Sequence, residues 1–411
     1  VVNLLDDLCP IPFVDTSPRM AVHWINLGWL AAVSLGHAVL VVAFLNRSMA
    51  RPLSHQVSHV LKTSHDFVIL LLPVLVGSLY GVTGPGLLWA TSTIAPWKVL
   101  PVWLSGYLLL CTILAVIAPL VKFVRTLRGN SSHLRSTTSH RHDLAAELPG
   151  PLLGEGPYRR FADCPGNQIL QVEINEKTLV HPRLPPAWDG LSILHLSDAH
   201  FIGTVKRAWY ERVFELAREK PCDIVVFTGD LLDDLEFLKW VRPTLASFAA
   251  PLGCWFVLGN HDWLLGDTTP IRQTLTGMGW NDATTSTRLL AWKGGTIAIA
   301  GTELPWMGGD PDLRDVPETA FTILLSHTPD RIQTARAGHV DLMLAGHNHG
   351  GQVRFPLFGP LYSPSLYGCR YASGVFWEAP TLLHVSRGLG GRHPLRLNCA
   401  PEVTRLVLRT R

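Results

Sequence analysis

Between His23 and Val121 the chain carries only five charged side chains: Arg47, Arg51, Lys62, Asp66 and Lys98. The 411-residue sequence holds 35 Lys+Arg and 32 Asp+Glu, so 99 residues account for 5 of 67 charges and the other 312 for 62. About a quarter of an ordinary soluble domain is charged, so this stretch is matched to a different solvent from the rest. A uniformly soluble protein is excluded. So is one that is membrane throughout, because the last part of the chain, roughly 220 residues, has the size and composition to build its own core.

Three uncharged apolar runs lie in the charge-poor stretch: Trp24 to Leu45, Phe67 to Ala95 and Val99 to Val121. At about 1.5 Å per residue, even the first reaches about 33 Å, enough for a hydrocarbon core of about 30 Å. The second is punctuated by Pro73, Gly77, Gly81, Gly84, Pro85 and Gly86. It reads as a kinked or shorter span followed by an interfacial stretch with Trp89 and Trp97. Lys122, Arg125, Arg128, Arg135 and Arg141 follow the third run with no acid before Asp143, and Arg47, Arg51 and Lys62 follow the first. The positive-inside rule then predicts three spans, with everything after Val121 in the cytoplasm. The expected organisation is a tail over 1–22, a membrane domain over 23–121, a basic polar linker over 122–164 and a globular domain over 165–411.

A formal net charge of +3 is too small to argue for nucleic acid. Seven cysteines, an odd number with no CxxC spacing, argue against a disulfide framework or a thiolate zinc cluster and fit a reducing compartment.

From Leu191 onward, short apolar runs end in polar turns and alternate with helix-period segments, the pattern of an α/β domain. LSILHLSD ends in Asp198, with His200 next but one; CDIVVFTGD ends in Asp230; GCWFVLGNHD ends in Asn260, His261 and Asp262; FTILLSH ends in His327; and HVDLMLAGHNHGG ends in His347 and His349. Five strands thus stop at a metal-ligand side chain, where open α/β sheets build their sites. Asp, His and Asn donors without a thiolate suit two divalent cations such as Mn, Fe, Zn or Mg. A carboxylate such as Asp230 can bridge two cations, and two cations about 3.5 to 4 Å apart can clamp the attacking and leaving oxygens of a displacement at phosphorus.

The ordered series DxH, GD, GNHD, H, GHNHGGQ resembles the calcineurin-like metallophosphoesterase superfamily over roughly residues 165 to 411. The tail GHNHGGQVRFPLFGPLY and HVSRGLGGRHPLRLNCAPEVTRLVL is similar to the branch of membrane-anchored bacterial phosphoesterases and transmembrane proteins with a metallophosphoesterase domain, and the UDP-2,3-diacylglucosamine pyrophosphatases are a similar group. The resemblance implies a four-layer αββα sandwich, here preceded by three transmembrane helices. It implies Asp198, His200 and His349 on a first metal, Asp230 as the bridge, and Asn260, His327 and His347 on a second. It also implies that His261 contacts the phosphoryl oxygen, with Asp233, Asp234 or Asp262 orienting it, and that a metal-bridging hydroxide attacks in line.

The 30 residues from Asp230 to Asn260 hold one helix and one strand, so no cap domain fits there. Rings at Trp263, Trp306, Phe355, Phe358, Tyr362, Tyr367 and Tyr371, with Met307, are either an apolar groove for a lipid tail or ordinary packing. Four readings follow. They are a phosphoesterase of lipid-linked phosphoesters or pyrophosphates, a tethered hydrolase of soluble phosphoesters, a nuclease using Arg370, Arg387, Arg392 and Arg396, and a non-enzymatic membrane module. A path for ions has little support, because the runs contain no charge and the first has only Asn26 and His37 as strongly polar groups.

Overall fold

The computed structural model describes residues 18–77, 101–127, 131–284 and 287–411. It divides into two units. One holds the described residues up to Ala43 with Val60–Lys122; the other is Phe44–His59 with Phe123–Arg411.

The first unit is built on α1 (Pro18–Met49), α2 (His55–Gly77) and α3 (Val102–Leu127). Each contains a segment long and apolar enough to cross a membrane: Leu27–Met49, Gln56–Leu75 and Val102–Val124. The second segment starts well ahead of the expected Phe67, because the helix runs on through His59, Lys62 and Asp66, whose polarity masks it in the sequence. Residues 78–95 of that expected run lie outside the described residues. Val33, Leu108 and Cys111 form the buried centre. Gly36 lets α1 approach the backbone of Cys111 where a Cβ would overlap it. His37 donates from Nε2 to the carbonyl of Val68 (2.9 Å) and accepts from the Tyr107 hydroxyl (2.5 Å), so it is a satisfied structural histidine.

Among its described residues the second unit has two large sheets and one of two strands. In chain order the strands are β1 (Leu134–Asp143), β2 (Gln171–Val180), β3 (Ser192–Leu196), β4 (Ile224–Thr228), β5 (Cys254–Val257), β6 (Trp280–Asp282), β7 (Arg288–Trp292), β8 (Gly295–Thr302), β9 (Phe321–Ser326), β10 (Leu342–Ala345), β11 (Arg354–Phe355), β12 (Gly359–Pro360), β13 (Gly374–Glu378), β14 (Thr381–Val385) and β15 (Glu402–Arg409). A seven-stranded sheet runs β1-β2-β15-β3-β4-β5-β6, a six-stranded sheet runs β13-β14-β10-β9-β8-β7, and β11 and β12 form a separate hairpin.

Strands buried on both faces read as continuous apolar runs, and alternation then assigns each side chain to a layer. Ile224 and Val226 of β4 face Ile323, Leu325, Leu342 and Leu344 of the other sheet. Val225 and Phe227 face the helices Arg207–Arg218 and Leu238–Leu245. Leu324 and Met343 turn outward to the helix Ile332–Ala337. The result is helix, sheet, sheet, helix, as the resemblance implies.

The segment expected as a linker over 122–164 is not one along its whole length. Leu134–Asp143 pairs antiparallel with β2 at the edge of the larger sheet. Its LRSTTSHRHD sequence exposes nearly every side chain, so no apolar alternation marks it. Backbone pairing, an Arg141–Glu173 ion pair and the packing of Leu134 hold the strand, and its basic residues discourage a further strand from pairing there.

Candidate active site

All five donor-bearing turns meet at the ends of β3, β4, β5, β9 and β10. Five of the seven candidate ligands, Asp198 (φ 52°), His200 (φ 49°), Asp230 (φ 56°), His347 (φ 70°) and His349 (φ 49°), hold left-handed backbone conformations. Non-glycine residues adopt these uncommonly and at a cost, and they cluster at functional sites. The turns also pack against one another: a Cβ on Gly259 would overlap the Asp230 carboxylate, and one on Gly346 would overlap that of Asp198.

Donor atoms of Asp198, His200, Asp230 and His349 lie within 4.8 Å of one another, and so do those of Asp230, His327 and His347. Asp230 belongs to both groups. Its Oδ2 stands 3.5 Å from His200 Nε2 and 3.2 Å from His327 Nε2, is buried, and has no hydrogen-bond partner. Asn260 Oδ1 is 3.1 Å from His327 Nε2. Ring nitrogens face each other in two pairs, His200 Nε2 with His349 Nε2 (3.2 Å) and His347 Nδ1 with His327 Nε2 (3.1 Å). An orphaned buried carboxylate oxygen among nitrogen donors is an arrangement that fits a cation, and Asn260 stands beside the group of Asp230, His327 and His347.

The electrostatics agree. Burial opposes charge on His200, yet Asp233, Asp230 and Asp198 outweigh it and lift its pKa to about 9. Burial likewise opposes charge on His327, and Asp230 with Asp198 raises it to about 9. The carboxylates thus create a negative field that a cation can satisfy in place of protons. His347, buried beside His327, falls to about 3, and His349 falls well below the ordinary value.

Asp233 settles between two histidines: Oδ2 accepts from His200 Nδ1 (2.7 Å) and Oδ1 from His261 Nδ1 (2.6 Å). Asp262 instead caps the backbone N–H groups of Leu231, Leu232 and Gly259, and Asp234 is exposed and accepts from Glu236 N. Of the three carboxylates open in the sequence, Asp233 alone touches His261. The backbone N–H of His261 also donates to Asp230 Oδ1 (2.8 Å), and its partly exposed ring packs edge-on against that of His200, centroids 4.6 Å apart, with Nε2 free of Asp233.

Three of the four arginines of the candidate basic strip are engaged within the fold. Arg396 is fully buried and donates to the carbonyls of His349, Arg387 and Gly390. Arg387 pairs with Glu173 and Glu402, and Arg370 with Glu378. The rings divide as well. Trp306 is buried against His347, with centroids 5.0 Å apart, and Tyr371 is core, whereas Phe355 and Phe358 are exposed.

One feature was hidden in the sequence. From Asp198 a single file of hydrogen bonds leads inward between the sheets. The Ser197 hydroxyl donates to Asp198 Oδ2 (2.5 Å), and Thr228 Oγ1 donates to Ser197 Oγ (2.8 Å). His195 Nε2 meets Thr228 Oγ1 at 2.9 Å, His384 Nδ1 meets His195 Nδ1 at 2.8 Å, and Lys177 Nζ meets His384 Nε2 at 3.1 Å. The carboxylate end fixes every proton: each group accepts from one side and donates to the other, back to the lysine. Beyond it Lys177 faces Glu402 at 3.6 Å. His195 sits mid-strand in LHL, where it reads as a break in an apolar strand rather than as a partner of the site.

Residues 191–351 match the model of the calcineurin-like phosphoesterase family. The chain is 33% identical over 248 residues to the metallophosphoesterase YkuE of Bacillus subtilis, covering 58% of this chain and 86% of that protein. It is 29% identical to the transmembrane protein with metallophosphoesterase domain of Danio rerio, over 59% of this chain and 57% of that protein. It is also 29% identical to the UDP-2,3-diacylglucosamine pyrophosphatase LpxG of Chlamydia trachomatis, over 52% of this chain and 82% of that protein. The chain belongs to the calcineurin-like phosphoesterase family. It is a hydrolase of that class, and among the described residues three helices are long and apolar enough to cross a membrane.

Proposed function

We propose that this chain is a membrane-anchored phosphoesterase that uses two divalent cations to hydrolyse a lipid-linked phosphoester or pyrophosphate, with its catalytic unit on the cytoplasmic side. The observation that carries the reading is Asp230 Oδ2, buried, unpaired and shared between two sets of donors. Asp198, His200, Asp230 and His349 would hold one cation, and Asp230, Asn260, His327 and His347 the other. When bound, such a pair supplies an activated water and neutralises charge on the phosphoryl oxygens. The protein does the rest. Asp233 holds Nδ1 of His261 and leaves Nε2 to carry a proton to the departing oxygen and to steady the phosphoryl group in the transition state. Ser197 and the backbone N–H of His347 hold the Asp198 carboxylate in place, the latter at 3.0 Å from Oδ1.

Two observations support a lipid-linked substrate over a soluble one: the candidate spans, and the likeness to LpxG, whose substrate carries two acyl chains. The engagement of Arg370, Arg387 and Arg396 within the fold disfavours a nuclease. The full chain, stripped with chelator and reloaded with Mn²⁺, should cleave a diacyl pyrophosphate substrate in mixed micelles. Failure to cleave that substrate or bis(p-nitrophenyl) phosphate in folded, metal-loaded protein would sink the proposal. A reporter fused after Arg411 tests the orientation, which a signal from the far side of the membrane would reverse.

A further inference from the structure

The hairpin β11–β12 is joined at Arg354↔Pro360 and Phe355↔Gly359. Its base is held: Arg354 N donates to Leu397 O (2.9 Å), Arg354 Nη1 donates to Ser373 Oγ (3.0 Å), and Asn398 Nδ2 donates to Arg354 O (3.0 Å). Its tip is apolar and open. Leu357 is 74% exposed, in a left-handed conformation (φ 65°), Phe355 and Phe358 are exposed in the same hairpin, and Leu361 and Leu366 are exposed further along the chain. Elsewhere in the same unit, exposed large apolar residues are scattered singly, as at Tyr158, Leu235, Leu264 and Leu289, or belong to the helix ends, as at Phe44, Val57, Phe123 and Val124. Single exposed residues are ordinary, whereas a cluster of five within twelve residues marks a contact.

The strap that follows the hairpin names the contact. Ser363 N donates to Asn46 Oδ1 (3.1 Å), both residues being buried. Asn46 lies in the catalytic unit's own segment Phe44–His59 and also in the last turns of the candidate span Leu27–Met49, next to the exposed Arg47 and Arg51. One residue on, the carbonyl of Pro364 accepts from Nε2 of the candidate ligand His347 (2.9 Å). Ser365 Oγ and Leu366 N then bond the Asp330 carboxylate (2.5 and 2.8 Å). Three consecutive residues therefore tie the end of a span, the strap and the metal donors together, with the apolar tip just upstream. We propose that the Phe355–Leu361 hairpin inserts its tip into the headgroup and upper acyl region of the bilayer and receives the lipid portion of the substrate there. Leucine and phenylalanine favour that depth, and basic residues at the span's end favour anionic headgroups. The inference rests on the membrane-anchored reading above and adds the element that reads the lipid.

The test uses the full chain in vesicles of phosphatidylcholine with a minority of phosphatidylglycerol. A nitroxide is placed at Leu357→Cys, with Cys9, Cys164 and Cys369 replaced by serine, and a control nitroxide at the exposed Lys220→Cys. The label at 357 should be relaxed more by dissolved oxygen than by a water-soluble nickel chelate, and the label at 220 the reverse. Equal, water-like behaviour at both sites overturns insertion, and dipolar broadening at 357 assigns the tip to a second copy instead. Independently, Leu357→Ser with Phe358→Ser should lower hydrolysis of a vesicle-embedded diacyl pyrophosphate by at least about tenfold, the worth of even one of the two apolar side chains withdrawn from lipid. Cleavage of bis(p-nitrophenyl) phosphate should stay within about twofold, because the tip carries no metal donor. An unchanged rate on the embedded substrate also overturns the inference. If the unsubstituted protein cleaves neither ester, the hydrolase reading fails while the depth measurement still decides the hairpin.

Discussion

Two pairs of buried histidines, one at the strand ends and one between the sheets, behave in opposite ways. At the strand ends, His200 and His327 face Asp230, Asp233 and Asp198, and their pKa values rise to about 9. Between the sheets, His195 and His384 face each other, Thr228 and Lys177; burial drives His195 to about 3 and His384 well below its ordinary value. Burial is the same. The difference is the company of carboxylates, which turns one group into an attractor of cations and leaves the other as neutral rings that pass on orientation. Burial alone therefore does not set a histidine's charge, and neither does the site: His347 and His349 share the strand ends with the acids, yet beside His327 and His200 they fall as His195 does.

The largest effect expected from this contrast is on the shared carboxylate. Asp230→Asn should weaken Mn²⁺ binding, measured on the stripped protein by electron paramagnetic resonance, by at least about 100-fold, since even partners behind a ligand are worth 10–100-fold. His261→Ala should lower turnover by about 100- to 10,000-fold with bound metal unchanged; a fall in metal content of the same size would make His261 a ligand rather than a proton donor. Smaller still, His195→Leu interrupts the file behind Asp198 and should weaken Mn²⁺ binding about tenfold. Here His195→Gln, which can accept and donate at once, should restore most of it. Equal affinities in the Leu and Gln variants would show that the file is packing alone.

The smallest effect is one of pH on the metal-free protein. His200 and His327 bind protons more tightly folded than unfolded, so the stability they give is complete below about pH 6.5 and lost as pH rises through about 9. His195 is the reverse: its contribution is complete above about pH 6.5 and lost as pH falls toward 3. Thermal unfolding of chelated protein should show greatest stability near pH 6.5, and Mn²⁺ should remove the alkaline fall only. An alkaline fall that survives metal loading would separate it from the strand-end histidines.

Much of this was legible in the sequence where one side chain does one job. Asp198, Asp230 and His327 follow apolar strands, and a ligand at the end of a buried strand is an exposed signal. His195 gave no such signal, because a histidine inside LHL looks like an interruption until β14 brings His384 opposite it. Lys177, on β2, meets His384 across 207 residues of chain. Leu134–Asp143 was illegible for another reason: an edge strand with both faces wet has no period to read. The start of α2 was obscured by Lys62 and Asp66, four apart on a helix and able to offset one another.

The position of β15 has a consequence for how this enzyme is made. It lies parallel to β2 and antiparallel to β3, and it separates them. Until the ribosome has delivered Glu402–Arg409, the early strands β1 and β2 have nothing to join them to β3, and Asn175 cannot reach Glu402, 227 residues away. The donor-bearing strands can gather earlier, but Lys177 cannot take its place behind them. The strand that locks the site is thus delivered long after the three apolar helices, so the catalytic unit closes only once those helices have left the ribosome.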